Sequence, residues 1–174
     1  MRKVLYIFGQ LRDDDVEWLA EAGGTRHFRA GTEIIRHGVD VAKLFIVIEG
    51  KLEVTDAKGT RLAEIEVGEI VGEMSFVEAR PPSATVRTVT NATLFEIPRD
   101  VLNDKLARDT SFAARFYKAL ALFLSDRLRA ASARNAPGAR PDDELDPNIL
   151  DNLSQAGVRF DRLVERVHRL SIMV

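Results

Sequence analysis

Glycines divide residues 25–98 into segments that are too short to be helices. They stand at Gly31, Gly38, Gly50, Gly59, Gly68 and Gly72. The runs between them are rich in β-branched residues or alternate between apolar and polar residues, which is typical of strands. Strands are predicted at 26–29, 33–36, 44–48, 52–56, 61–67, 85–89 and 93–97. Turn signals at this spacing, with no helix between the runs, favour an antiparallel sandwich or jelly roll over a parallel α/β sheet.

Helical patterns flank the β region on both sides. The first helix is expected at 13–22. The run of aspartates at its start interacts favourably with the positive end of the helix dipole. Two more helices are expected at 100–107 and 111–134, the longer one capped by Thr110 or Ser111. The predicted fold class is therefore mainly β with flanking helices. We expect one domain over 1–134, with its β region at 25–98 and its later helices at 99–134.

The long helix at 111–134 is apolar over more of its surface than one core-facing stripe requires. Its apolar residues are Phe112, Ala113, Phe116, Ala119, Leu120, Leu122, Phe123, Leu124 and Leu128. A helix that is apolar on a second side normally buries that side against another element or another protomer. We expect a homodimer through 111–134; the alternative is that the C-terminal tail folds back and covers the second side.

The C-terminal part of the chain reads as a linker followed by an amphipathic helix. Residues 135–147 are rich in Ala, Pro, Gly and Asp, which is typical of a linker. Over 148–174 apolar residues recur at spacings of four and three, at Ile149, Leu153, Ala156, Phe160, Leu163, Val167 and Leu170. This heptad pattern fits a coiled coil that binds a protein partner through 148–172. It fits equally an amphipathic helix that docks on its own domain.

Composition narrows the function classes. The formal net charge is −2, so the chain as a whole lacks the basic field that nucleic-acid binding requires. Only a short acidic and heptad-bearing segment follows the long helix, which leaves little room for a helix-turn-helix, and we expect no DNA partner. No stretch approaches the length of a membrane span, so no membrane insertion is expected. The chain has no cysteine, which fits a reducing compartment, and we expect it to be cytoplasmic.

The sequence does not carry the usual marks of a catalytic or metal site. His27, His37 and His168 are scattered, and a metal-binding jelly roll needs histidines and carboxylates that converge on one ion. Nucleophile-elbow, P-loop and dinucleotide-binding motifs are also missing. We therefore expect no catalytic residues, no metal, no cofactor and no enzymatic activity.

Two segments carry the functional signal. The first covers 30–38 and continues through 44–54, with glycines at the turns. The second reads Val71-Gly72-Glu73-Met74-Ser75-Phe76-Val77 and is followed by Arg80-Pro81-Pro82-Ser83-Ala84-Thr85-Val86. A turn at Gly72 that opens a helical turn would present unpaired backbone N–H groups to an anion. Glu73 stands inside an apolar run, where a carboxylate is costly to bury without a partner.

Together these segments resemble the cyclic-nucleotide-binding domains of catabolite activator proteins, cyclic-nucleotide-regulated kinases and gated channels. The resemblance covers about residues 25–130 and implies an antiparallel β-roll or jelly roll (double-stranded β-helix) that binds cyclic AMP or cyclic GMP. It implies that Glu73 accepts the ribose 2′-hydroxyl hydrogen bond and that Ser83 or Thr85 adds a hydroxyl toward the phosphate or base. The implied ligand-binding residues are Val71, Gly72, Glu73, Met74, Ser75, Arg80, Ser83, Ala84 and Thr85.

The chain departs from this family at one functional position. Where the family has the arginine that pairs with the cyclic phosphate, this chain has Pro82. Loss of one charged hydrogen bond would weaken binding roughly ten- to a hundred-fold. Three possibilities stay open: cyclic-nucleotide binding with Arg80 or backbone N–H groups, binding of a different ligand, and a degenerate pocket kept as a dimeric scaffold or adaptor. We expect a regulatory module that signals through helix rearrangement and a partner protein.

Overall fold

The structure is a computed structural model that describes residues 6–78, 80–135 and 153–172, with side chains for 6–78, 80–132 and 154–167. After a helical turn at residues 6–8, helix α1 covers Asp13–Ala22. The strands are β1 Gly24–Phe28, β2 Glu33–Ile35, β3 Lys43–Glu49, β4 Leu52–Thr55, β5 Arg61–Ile65, β6 Ile70–Val71, β7 Thr85–Thr88 and β8 Ala92–Pro98. Helix α2, Glu73–Glu78, lies between β6 and β7; α3 Arg99–Arg108, α4 Thr110–Asn135 and α5 Leu153–Ile172 follow the strands.

The strands form two antiparallel four-stranded sheets, ordered β1-β8-β3-β6 and β2-β7-β4-β5. Strand β3 is buried on both faces because successive side chains point to opposite sides of a sheet. Its Phe45 and Val47 join the cluster between the sheets, and its Leu44 and Ile46 join a second cluster beneath the helices. The antiparallel jelly roll and its flanking helices are therefore as predicted.

The predicted strands agree with the observed ones to within one or two residues at each end. The exception is β6, Ile70–Val71, which was not predicted. A two-residue strand is too short to show an alternating pattern, and glycines bound it on both sides. This strand matters because it leads directly into α2.

The first two helices after the strands start within one residue of their predicted positions, but the predicted N-cap residue of α4 was wrong. Asp109, and not Thr110 or Ser111, accepts a hydrogen bond from the backbone N–H of Phe112, at 2.9 Å. The predicted and observed α4 otherwise agree to within one residue. None of the helices in the described part of the chain combines the length and the hydropathy that a membrane span requires.

Helix α5 docks on its own chain. Its Ala156, Phe160, Leu163 and Val167 are buried in the cluster that also contains α1 and residues 6–8. Arg159 and Arg162 both pair with Asp13 of α1, at 2.8 and 2.9 Å. Of the two alternatives for this heptad pattern, docking on the domain is the one observed. The start of the predicted helix and most of the linker fall in 136–152, outside the described residues, and a protein partner for α5 stays a prediction.

Helix α4 buries one side and leaves part of another exposed. Its inner residues Phe112, Phe116, Ala119, Leu120 and Phe123 belong to the core. Tyr117 and Leu128 remain 47% and 68% exposed, and with Ala121 and Leu124 they lie four, three and four residues apart. This outer stripe is the face on which the predicted dimer would have to form.

Candidate functional site

The site begins at the turn between β6 and α2. Gly72 has a φ of 91°, in the left-handed region that favours glycine. A Cβ at this position would also lie 3.1 Å from the backbone carbonyl of Lys43 in the neighbouring strand. Conformation and close packing therefore both favour glycine here. The turn places the next residue, Glu73, at the start of α2 and beneath α4.

Glu73 is 2% exposed, and its Oε1 accepts a hydrogen bond from Nη1 of Arg127 on α4. The other terminal nitrogen of Arg127 lies 3.7 Å from Oε1 of Glu69, which is fully buried in the turn before β6. One guanidinium thus faces two buried carboxylates. Burial raises the pKa of Glu73 above its ordinary value, although the charge and hydrogen bond of Arg127 act in the opposite direction.

Arg127 was not identified from the sequence, since 54 residues separate it from Glu73. One signal was available. Arg127 follows Phe123 by four residues and Leu120 by seven, so it lies on the core-facing side of an apolar helix. A cation in that position calls for a buried partner. Its guanidinium also stacks over the Phe123 ring, 4.6 Å from the centroid, which fixes its direction.

A narrow cleft of about 90 Å³ opens at this turn. Seven of the nine predicted ligand-binding residues line it, namely Val71, Gly72, Glu73, Met74, Ser75, Ser83 and Ala84, together with Ile35, Val54, Pro82, Val86 and Arg127. The family's arginine position, Pro82, is therefore at the cleft, as the resemblance implies. Ligand-binding pockets usually measure about 300–1,000 Å³. This cleft alone is too small for a nucleotide.

The two remaining predicted residues do not line the cleft in the part of the chain that the structure describes. Arg80 is exposed on the turn before Pro82. Thr85 uses its hydroxyl oxygen to accept a hydrogen bond from the backbone N–H of His37, at 3.1 Å. Thr85 therefore holds the 36–38 turn against β7.

A second cleft adjoins the first. It has a volume of about 430 Å³ and lies between β5 and the C-terminal part of α4, with Leu62, Glu64, Asp126 and Ala130 among its lining residues. Val54 and Arg127 border both clefts. The larger volume is within the range of ligand pockets, so the two clefts together offer space for a ring system beside the Glu73 turn.

A larger groove, of about 680 Å³, lies elsewhere, between β1, β2 and the 36–42 loop. Its charged residues include the pairs Arg36 with Glu33 and Lys43 with Glu96. It contains neither Glu73 nor Arg127. We place the candidate site at the Glu73 turn because the buried, coupled charges are there. Among the described residues, no group of three or more histidine or acidic side chains is arranged to hold a metal ion.

Comparison with known proteins bears on the family of the domain that contains this site. Residues 25–109 match the family model described as cyclic nucleotide-binding domain. The chain is 31% identical over 128 residues to Glutaminase 2 of Bradyrhizobium diazoefficiens, a match that covers 74% of this chain and 20% of the glutaminase. The chain spans about a fifth of the length of the curated relatives that it matches over most of its own length.

Two solved structures illustrate the likeness in fold. A cyclic nucleotide-binding domain from Methylobacillus flagellatus superimposes with a TM-score of 0.71 at 22% identity, over 82% of this chain and 84% of that one. The regulatory domain of Toxoplasma gondii PKA, crystallised with cAMP, gives a TM-score of 0.54 at 28% identity, over 57% of this chain and 39% of that one. With its two-sheet β-roll and its match to the family model, the region 25–109 of this chain belongs to the cyclic nucleotide-binding domain family.

Proposed function

We propose that the chain is a non-catalytic regulatory module that binds a cyclic nucleotide at the Glu73 turn. The observation that carries the proposal is the placement of Glu73, a buried carboxylate that lines a cleft in a member of this family. A carboxylate accepts hydrogen bonds from sugar hydroxyls, which is the role that the resemblance implies. The Toxoplasma relative crystallised with cAMP supports the same ligand class.

In this proposal the ligand is bound without Arg80. Arg80 is exposed and lies outside the cleft lining, and Pro82 occupies the position of the family's arginine. Arg127 is the one cation among the described lining residues of the small cleft. We expect affinity below that of a site with the family arginine, by roughly ten- to a hundred-fold.

The contact between Glu73 and Arg127 supports a coupling of ligand to helix position. Arg127 belongs to α4, so any ligand that engages Glu73 also acts on the residue that holds α4 to the cleft. Such coupling requires that the ligand bind two helix arrangements with different affinities. We propose that the output passes through α4 to a partner protein or an attached effector, in the cytoplasm.

A scaffold role is the second candidate. The small cleft, the proline at the arginine position and the engagement of Glu73 by Arg127 all favour a pocket that holds its fold without a ligand. In that case the exposed stripe on α4 would carry the function by joining two copies of the chain.

Calorimetric titration with cyclic AMP and cyclic GMP separates the two candidates. For the nucleotide-binding module we expect saturable binding to the wild type, at least ten-fold weaker binding to Glu73→Ala, and binding to Arg80→Ala within about two-fold of the wild type. Arg80→Ala is the matched control because it removes a cation just outside the cleft. Absence of binding up to millimolar nucleotide would reject the proposal in favour of the scaffold.

A further inference from the structure

The C-terminal part of α4 is weakly anchored. Its buried residues end at Phe123, and none of the described residues 124–132 is buried. The cleft of about 430 Å³ separates this stretch, which we name distal α4, from β5. A helix end without an apolar seat depends on its polar contacts for its position.

Two consecutive residues supply polar contacts from distal α4 to other elements of the described chain. Arg127 reaches Glu73 on the ligand side. Asp126 uses Oδ1 to accept a hydrogen bond of 2.8 Å from the hydroxyl of Tyr6. Neighbouring residues of a helix point about 100° apart, so these two contacts hold distal α4 from two directions.

Tyr6 is well placed to hold α4 in position. Its side chain is 4% exposed and belongs to the same buried cluster as α1 and α5. Two residues later Phe8 packs edge-on against Phe160 of α5, with ring centroids 5.4 Å apart. The helical turn at 6–8 therefore contacts distal α4 through Tyr6 and α5 through Phe8.

We propose that Tyr6 is a positioning residue for the ligand site. It fixes distal α4 through Asp126, keeps Arg127 aligned with Glu73, and so couples the ligand site to the α5 layer. The ligand part of this inference rests on the proposed function. Coupling between two sites is reciprocal. Loss of the Tyr6 hydrogen bond would therefore change ligand affinity, and ligand binding would change how stably α5 is docked.

Hydrogen exchange without any ligand tests the positioning role. In Tyr6→Phe, which removes only the hydroxyl, we expect amides of 124–132 to exchange about five- to twenty-fold faster than in the wild type. Asp126→Ala should match it, and the double variant should add little because both changes break the same bond. Asp126→Asn keeps an acceptor oxygen and should stay near the wild type. Tyr117→Phe, on an exposed tyrosine of α4, is the matched control.

Unchanged exchange at 124–132 in both Tyr6→Phe and Asp126→Ala would overturn the proposal. So would uniform acceleration over the whole chain, since that would mean a general loss of stability and no local positioning.

The ligand arm uses the cyclic nucleotide that the wild type binds. Nucleotide should slow exchange over 154–167 of α5 in the wild type and leave it unchanged in Tyr6→Phe, with about three- to ten-fold weaker binding in the variant. Equal affinity and equal protection in both proteins would refute the coupling. Absence of binding to the wild type would reject the proposed function instead, and the ligand-free exchange would still decide whether Tyr6 positions α4.

Discussion

At the residue scale, the site is a meeting of two buried carboxylates and one guanidinium. The guanidinium of Arg127 faces both Glu69 and Glu73, and both carboxylates are buried. Loss of solvent around the carboxylate raises the pKa of Glu73, despite the opposing effect of Arg127. A group of this kind changes the pH dependence of folding, because the folded protein holds its proton more tightly than the unfolded chain does.

The first prediction is a pH-dependent cost from Glu73. The free energy of unfolding should lose the Glu73 contribution as pH rises from the ordinary glutamate range through the raised pKa. Asp13 and Asp109, whose pKa values are lowered, act in the opposite direction, so the difference between proteins is the quantity to measure. Urea unfolding at several pH values should show that the free energy of unfolding of Glu73→Gln increases relative to that of the wild type as pH rises. The control variant Glu78→Gln, on the same helix, should show no such increase. Equal pH profiles for Glu73→Gln and the wild type would contradict the prediction.

Glu73 was predictable and its partner was not. A carboxylate in the run 70–77, next to a turn glycine, already requires a special environment, whatever the fold. Arg127 comes from a distant helix, and its approach depends on how α4 crosses the roll, which no local pattern encodes. Arg80 was the cation nearest in sequence to the missing arginine, but the turn that carries it faces solvent.

At the scale of elements, local patterns predicted the strands and helices well because glycines and changes of period mark their ends. The docking of α5 shows where such patterns stop being informative. A heptad stripe buries equally well in a second chain or on its own domain, and the deciding factor is the complementary surface on α1 and residues 6–8. That surface consists of side chains far away in sequence, among them Phe8 and Leu19.

The docking of α5 on the domain should depend on its apolar side chains more than on its ion pairs. Exposed ion pairs such as Arg166 with Glu21 contribute about 0–1 kcal/mol to the free energy of unfolding. Phe160, in contrast, is only 9% exposed and belongs to the buried core cluster. We expect Phe160→Ala to lower the free energy of unfolding by about 3 kcal/mol. Val158→Ala, at a position 58% exposed on the same helix, should change it by less than about 0.5 kcal/mol. Urea unfolding provides both values, and similar losses in the two variants would argue against the docked helix.

At the scale of the whole molecule, the candidate site lies at the junction of the β-roll and α4. The roll supplies the Glu73 turn, and α4 supplies Arg127 and the exposed stripe through Tyr117 and Leu128. On α2, Met74 and Val77 are also exposed and apolar. Ligand site and outer stripe thus share one helix, so dimerisation would place the two sites next to the same interface.

Dimerisation through α4 is a separate prediction. Leu128→Glu places a charge in the exposed stripe and should convert a dimer to a monomer, since a buried unpaired charge is costly. Val39→Glu, at another exposed apolar residue in a loop, should leave the assembly unchanged. Sedimentation equilibrium measures the mass directly. A wild type that is monomeric at all concentrations tested would remove the dimer from the account.

The central claim is that Glu73 recognises the sugar hydroxyl of a cyclic nucleotide. The most direct measurement is the ratio of dissociation constants for the cyclic nucleotide and its 2′-deoxy analogue, in the wild type and in Glu73→Ala. Because a hydrogen bond to a charged group contributes about 1.5–3 kcal/mol, the wild type should bind the deoxy analogue roughly ten- to a hundred-fold more weakly. Glu73→Ala should bind both equally. A wild type that binds the two ligands with the same affinity, or a variant that still distinguishes them, would contradict the assignment of Glu73.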